Sequence, residues 1–327
     1  MKQNIIKITE QSGIPLIGAI QFGIIDRGTN LLQIRPTTVC PLKCIFCSTS
    51  ANSTLHPYNF EIDLPYLVKS LKEIAVFKGN SLEANIDSMG EPLAYPKVIE
   101  LIQEIKKIKQ FSKISMQTNG ILLTKDLVKK LEDAGLDHIN VSIQSLDEEK
   151  SKYLSGFSSY DIKKIKESLE LISKSRIELM ITPVYIPKIN DDDIEEIIKY
   201  AKQLNAKLGI QKYEVYKFGR KPKQAKKQSW YQFYNYLEEL GKKYDIKLKL
   251  SRKDFNIEQR ETYPLKFRNN EIISIVIKCP GWVREEMIGV AKEVCITVDK
   301  CNAKIGDKIK VKILSNKHNI YFARQIK

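Results

Sequence analysis

Hydrophobic positions along the first three quarters of the chain alternate between two periods. A three-and-four spacing marks 63–77, where Asp63 reads as an N-cap, Pro65 lies in the first turn, and Leu64, Leu67, Val68, Leu71 and Ile74 share a face. It returns over 96–108 with Val98, Ile99, Leu101, Ile102 and Ile105, and from Thr124 to Gly135, a glycine suited to a C-cap. Further helices are predicted at 160–174, 191–204 and 229–243. Between them lie short strand-like runs at 31–35, 83–88, 113–118, 138–144, 177–184 and 208–215. Strands that alternate with helices predict a parallel sheet. Six such units fall short of a complete (β/α)8 barrel. The expected fold is therefore α/β: a partial (β/α)6 TIM-like barrel over 31–255, preceded by an N-terminal extension at 1–30.

Successive residues of a strand point to opposite faces. Ile139, Val141 and Ile143 alternate with Asn140, Ser142 and Gln144; Ser115, Gln117 and Asn119 share a face; Asn85 and Asp87 oppose Ala84 and Ile86. The apolar faces would pack under the helices and the polar ones would line the interior. A filled barrel interior is dominated by Val, Ile and Leu, so a polar one is suited to a polar ligand and water. Exposed faces of an antiparallel sheet would alternate in the same way; the intervening helices favour the barrel.

After residue 270 the pattern changes. Strand-like runs at 272–277, 288–291, 294–298, 309–314 and 320–323 are separated by turns at 299–302 and 306–307. Short, evenly spaced strands predict a small all-β barrel. We place it at 279–327, joined to the first domain through a linker and strand connection at 256–278. In Lys308-Ile309-Lys310-Val311-Lys312-Ile313, lysine alternates with branched apolar residues, giving one core face and one basic face.

Charge sharpens the picture. The formal net charge is +15. Much of the excess is lysine spread over helices, but Lys217, Arg220, Lys221, Lys223, Lys226 and Lys227 crowd one segment without an acidic residue. Such a run suits a polyanion; a solvated loop would look the same. Met1 leads into a mixed polar segment and no run of 18 apolar residues occurs, so we expect a cytoplasmic protein with no membrane segment.

The chemistry is carried by Cys40, Cys44 and Cys47 in Cys-Pro-Leu-Lys-Cys-Ile-Phe-Cys. A zinc site would normally spread its ligands over two separated pairs, and a disulfide suits a secreted chain. Crowded thiols in a cytoplasmic chain favour a metal or redox centre. A four-iron cluster usually takes four cysteines. Three leave one iron open, and that vacancy is where chemistry is expected. Cys279, Cys295 and Cys301 are irregularly spaced; they could ligate a second cluster, or be buried small hydrophobes.

The triplet, with aromatic Phe46 between its last two thiols and a strand ahead of it, resembles the radical S-adenosylmethionine (SAM) superfamily. Asn85-Ile86-Asp87-Ser88-Met89-Gly90-Glu91-Pro92 is similar to that family's second-strand motif, with Met89 in place of its first glycine. The resemblance implies a [4Fe-4S] cluster on Cys40, Cys44 and Cys47, whose free iron binds the amino and carboxylate groups of SAM. It further implies reductive cleavage of SAM to a 5′-deoxyadenosyl radical, with ferredoxin or flavodoxin as the type of electron donor. Phe46 would hold adenine through its backbone, Gly90 and Glu91 the SAM amino group, and Asn119, Ser142 and Gln144 the ribose.

Gly306 to Ile313 and the closing Tyr321-Phe322-Ala323-Arg324 resemble the TRAM domain, an RNA-binding barrel. That resemblance implies RNA, tRNA above all, as partner, held by Lys217, Arg220 and Lys221 and by Lys308, Lys310 and Lys312. The expected function is radical modification of a base in tRNA or another structured RNA. The alternatives are a radical SAM enzyme for a peptide or small metabolite, its terminal barrel a lid, and a non-catalytic RNA-binding redox sensor.

Overall fold

The computed structural model describes residues 4–326. In chain order the elements are β1 (Asn4–Ile8), β2 (Gly23–Asp26), β3 (Leu31–Arg35), β4 (Tyr58–Ile62), α1 (Leu64–Lys78), β5 (Leu82–Ile86), α2 (Val98–Lys106), β6 (Phe111–Thr118), α3 (Lys125–Ala134), β7 (His138–Val141), α4 (Glu148–Ser155) and α5 (Ile162–Ser173). There follow β8 (Glu178–Ile181), β9 (Val184–Tyr185), α6 (Asp191–Gln203), β10 (Lys207–Leu208), β11 (Gln211–Lys212) and α7 (Trp230–Tyr244). The last strands are β12 (Ile272–Pro280), β13 (Met287–Ala291), β14 (Val294–Asp299), β15 (Lys308–Ser315) and β16 (Phe322–Gln325). The fold is mixed α/β, a TIM-like sheet with a small closed barrel of five strands near the C-terminus.

Two compact units form. The first takes the chain up to residue 39, then 53–114, and from 257 onward; the second takes 40–52 and 115–256. In the first, β3 runs parallel to β5 and antiparallel to β2, β1 pairs parallel with β4, and β12 to β16 close the barrel. In the second, β6, β7, β8 and β10 run parallel, as do β9 and β11.

The alternation read from the sequence sets both faces of these strands. Ala84, Ile86, Met116, Ile139, Val141 and Ile143 have no exposed surface, while Asp87, Gln117, Asn119, Asn140, Ser142 and Gln144 are half-buried on the other side. Local chemistry ends the helices: Thr124 Oγ1 accepts from Leu127 N at 3.1 Å, and Gly135 adopts a left-handed φ of 96°. The predicted strands 177–184 and 208–215 are each broken in two. Pro183 has no N–H for a ladder, and Gly209 interrupts the second run.

The division at 1–30, 256–278 and 279–327 is not the one the contacts draw. Of 1–30, residues 1–3 lie outside the described part. The remainder includes β1 and β2, and residues 14–18 line the barrel: Ile17 O accepts Cys295 N at 2.7 Å and Gly18 O accepts Tyr321 N at 2.9 Å. The barrel itself starts at Ile272, because Ile272–Val276 pair with β15. A linker reading of 256–278 therefore holds only for its first part. Ile275, Ile277, Val294, Ile296, Val298, Val311 and Ile313 fill the barrel core.

A buried ion pair fastens the first unit. Lys78 Nζ lies 2.8 Å from Asp26 Oδ1, the two side chains being 0% and 4% exposed, and Lys78 also donates to Glu261 O. Asp26 accepts further bonds from Gly28 N (2.8 Å) and Tyr263 N (2.7 Å). Lys78→Ala would strand a buried carboxylate. We expect a loss of about 3–5 kcal/mol in unfolding free energy, measured by urea titration; a loss below about 1 kcal/mol, the range of an exposed pair, would refute the fastening role.

Candidate functional site

The segment 40–52 has neither helix nor strand, so its peptide groups need partners from elsewhere. Lys43 N donates to Ser155 O and Ile45 N to Leu154 O, both at 3.0 Å, where α4 ends. Gly156 is required there: a Cβ would lie 2.3 Å from Lys43 O, and its φ is +61°. Asn52 Nδ2 donates to Pro41 O at 3.2 Å and closes the loop on itself.

Against this loop the second unit gathers the residues expected to hold a nucleotide. Cys44, Phe46, Asn119, Ser142 and Gln144 line one cavity of about 70 Å³ with Leu42, Ser145, Leu154 and Tyr160. Asn119 Nδ2 lies 3.9 Å from Cys40 Sγ, while its Oδ1 accepts from Ile121 N. Gln144 Nε2 donates to Ser142 Oγ at 2.6 Å, and buried Asn190 fixes Gln144 by donating to its carbonyl at 3.2 Å. Asn119 directly follows β6, and Ser142 and Gln144 follow β7, so these groups stand at the C-terminal ends of strands, where sites form in this architecture. Phe46 also packs on Leu154, Ile186 and Tyr213.

Gly90 and Glu91 belong to the first unit and follow β5. A Cβ on Gly90 would meet Val39 O at 2.3 Å and Thr38 O at 2.4 Å. Glu91 N donates to Val39 O at 2.8 Å, and the Glu91 carboxylate, 1% exposed, caps its own turn by accepting from Leu93 N. Its side chain is thus turned inward, leaving backbone groups to face a ligand. Ahead of the turn, Arg35 donates from Nε and Nη2 to Asp87 Oδ2 (3.2 and 2.8 Å) and from Nη1 toward Met89 Sδ (3.1 Å).

Cys40, Cys44 and Cys47 are half-buried and take part in no disulfide. Among the described residues no three His, Cys, Asp or Glu side chains are gathered as a single ion would require. A cubane does not require that gathering, because each thiolate sits on its own iron. Three accessible soft donors on one braced loop fit such a cluster. The late cysteines are placed differently. Cys301 is packed in the barrel core, and Cys295 Sγ donates to Pro15 O at 3.0 Å. Burial pushes the Cys279 thiol up to about 12 and raises that of Cys295 well above its ordinary value. Metal ligation needs thiolates, and burial works against forming them at these two positions.

Arg220 is half-buried, and its guanidinium donates to the carbonyls of Cys44 (3.2 Å), Ser50 (3.4 Å) and Ala51 (2.7 Å). The neighbouring Lys217, Lys221, Lys223, Lys226 and Lys227 are exposed, as are Lys308 and Lys310, whereas Lys312 is half-buried. Among the described residues no helix is long and apolar enough to cross a membrane.

Residues 34–201 match the Radical SAM superfamily. The chain therefore belongs to that superfamily and is a radical SAM enzyme, which supports a [4Fe-4S] cluster and SAM as its cofactors. It is 38% identical to an uncharacterised protein of Methanocaldococcus jannaschii, over 96% of this chain and 79% of that one. It is 29% identical to the GTP 3′,8-cyclase of Clostridium perfringens, over 54% of this chain and 52% of the cyclase, so it spans about half the length of that relative. Streptococcus suis SuiB bound to S-adenosylmethionine shares the fold, with a TM-score of 0.54, 19% identity, and coverage of 68% of this chain and 49% of SuiB.

Proposed function

We propose that Cys40, Cys44 and Cys47 hold a [4Fe-4S] cluster in a cytoplasmic enzyme that modifies a base of a structured RNA such as tRNA. With cluster and SAM bound there, and an electron from a ferredoxin- or flavodoxin-type donor, 5′-deoxyadenosyl radical chemistry would be supplied to the site. The chain's own part is to bind and orient. Backbone carbonyls around Gly90 and Glu91 would take the SAM amino group. Ser142, Gln144 and Asn119 present amide and hydroxyl groups beside Cys44 and Phe46, in a cavity that admits one edge of a nucleoside. A target base has to leave its stack to reach such a recess.

The single observation that supports RNA is the sided basicity of β15. Val311 and Ile313 are buried while Lys308 and Lys310 project outward, leaving a cationic face on the closed barrel. The TRAM reading of that barrel rests on the same face. The exposed lysines of 217–227 add a second cationic surface. Lysine–phosphate contacts give salt-dependent affinity with little sequence choice.

The experiment is tRNA binding across a salt series. The Lys308→Gln/Lys310→Gln protein should lose about 2 from the slope of log K against log salt, one per phosphate contact. An unchanged slope would remove the barrel from the RNA interface. Point variants are needed because deleting the barrel would strip cover from residues 14–18, where Pro15 O and Ile17 O accept from Cys295 and Gly18 O accepts from Tyr321 N. Mass spectrometry of tRNA nucleosides from a strain lacking the gene then tests the reaction; full persistence of every modified nucleoside would overturn it. A second reading, a free purine nucleotide as substrate, is favoured by the similarity to GTP 3′,8-cyclases over half of the chain. Its test is consumption of GTP by the reconstituted enzyme.

A further inference from the structure

We propose that Arg220 is a positioning residue that clips the cysteine loop into its cluster-binding conformation. The inference rests on the reading that Cys40, Cys44 and Cys47 hold a cluster, and assigns to the loop a support outside the three-cysteine motif. An irregular loop carrying three anionic ligands has two needs: partners for its carbonyls and positive charge near its thiolates. Arg220 supplies the partners directly and brings a fixed cation to the backbone of the same loop. Its guanidinium reaches Cys44 O (3.2 Å), Ser50 O (3.4 Å) and Ala51 O (2.7 Å), spanning both sides of Cys47. Its own amide donates to Cys47 O at 2.8 Å. Four carbonyls of one loop thus converge on a single residue. A guanidinium carries five donors in a fixed fork and accepts nothing; lysine, with one nitrogen, cannot span the same acceptors.

The clip is itself held. Tyr213 Oη donates to Arg220 O at 3.1 Å, and Ser50 Oγ donates to Phe218 O. Gly219 lets the two backbones meet: a Cβ there would stand 3.1 Å from Ser48 O and 3.3 Å from Cys47 O. Among the described residues Arg220 forms no ion pair with a carboxylate, so its guanidinium is committed to the carbonyls of this loop.

Hydrogen–deuterium exchange of the cluster-free full-length chain, followed over residues 43–51, is the primary test, because it needs neither iron nor SAM. Arg220→Ala should speed exchange there by about tenfold or more, since several charge-assisted bonds are lost together. Iron per chain after anaerobic reconstitution should fall to less than about half of the wild-type level. Arg220→Lys keeps the charge without the fork and should restore the cluster potential more fully than the loop protection. Arg220→Gln should leave any retained cluster with a lower midpoint potential, because a cation favours the more negative reduced state. Should Arg220→Ala fold poorly, Tyr213→Phe removes one anchor of the clip and should loosen 43–51 to a smaller extent. Unchanged exchange over 43–51 in a folded Arg220→Ala or Tyr213→Phe chain would overturn the proposal, as would a lysine variant indistinguishable from wild type in every readout. A wild-type chain that takes up no iron would instead overturn the cluster reading.

Discussion

Cys44→Ser is expected to fold and to lose its iron, with SAM cleavage falling by about 10³-fold or more, the scale seen when a group on which the chemistry depends is removed. Serine keeps the size of the side chain but replaces a soft thiolate with a hard hydroxyl that iron–sulfur clusters do not favour. The loop should survive the change, since its braces are backbone groups: Ile45 N on Leu154 O, and Cys44 O under Arg220. The measurement is iron and sulfide per chain after reconstitution, alongside release of 5′-deoxyadenosine. A Cys44→Ser protein that kept its cluster and still cleaved SAM would end the assignment of this loop. Cys279→Ser provides the opposite case. That thiol is buried in β12 and burial raises it to about 12, which disfavours ligation, so the substitution should leave the iron content unchanged. Iron loss there would restore the second-cluster idea.

What the sequence disclosed follows from how local each signal is. The α3 boundaries are legible because Thr124 and Gly135 act on the turns beside them. The polar strand faces are legible because a period of two survives any tertiary arrangement. Strands β1 and β4 escaped notice because they are short and are specified by each other, Asn4 pairing with Tyr58, 54 residues further along. Helix α4 escaped because it buries only Ser151, Leu154 and Ser155, too few apolar positions to show a period; Asp147 ahead of it and Gly156 behind it were the available cues. The loop contacts of Arg220 were hidden for a deeper reason. Its charge looks like that of the lysines around it, and nothing in 217–227 reveals that its acceptors lie some 170 residues earlier (176 for Cys44). Charge runs report composition, whereas the partner of each charge is a tertiary fact.

Gly90→Val should damage both stability and SAM binding, less than loss of a cysteine damages cleavage, and for a steric reason. The φ at Gly90 is not in the left-handed region, so the residue is needed for space. A Cβ would land 2.3 Å from Val39 O and 2.4 Å from Thr38 O, both backbone atoms that cannot swing aside. The turn is also tied to that segment. Ser88 Oγ donates to Thr37 O and accepts from Gly90 N at 2.8 Å, and Glu91 N donates to Val39 O at 2.8 Å. Pushing the two strands of backbone apart breaks these bonds together and displaces the residue that precedes Cys40. Overpacking of this kind costs about 1–3 kcal/mol, and the misplaced carbonyls should weaken SAM binding by about tenfold or more. Thermal unfolding reads the first effect; the change in the reduced cluster's EPR signal on titrating SAM reads the second. Met89→Gly, which removes bulk at the neighbouring position, should alter SAM binding far less than Gly90→Val. If both substitutions weakened SAM equally, general disorder of the turn rather than backbone contact at residue 90 would be the cause. If Gly90→Val bound SAM as the parent does, these backbone groups would not form the amino-group seat.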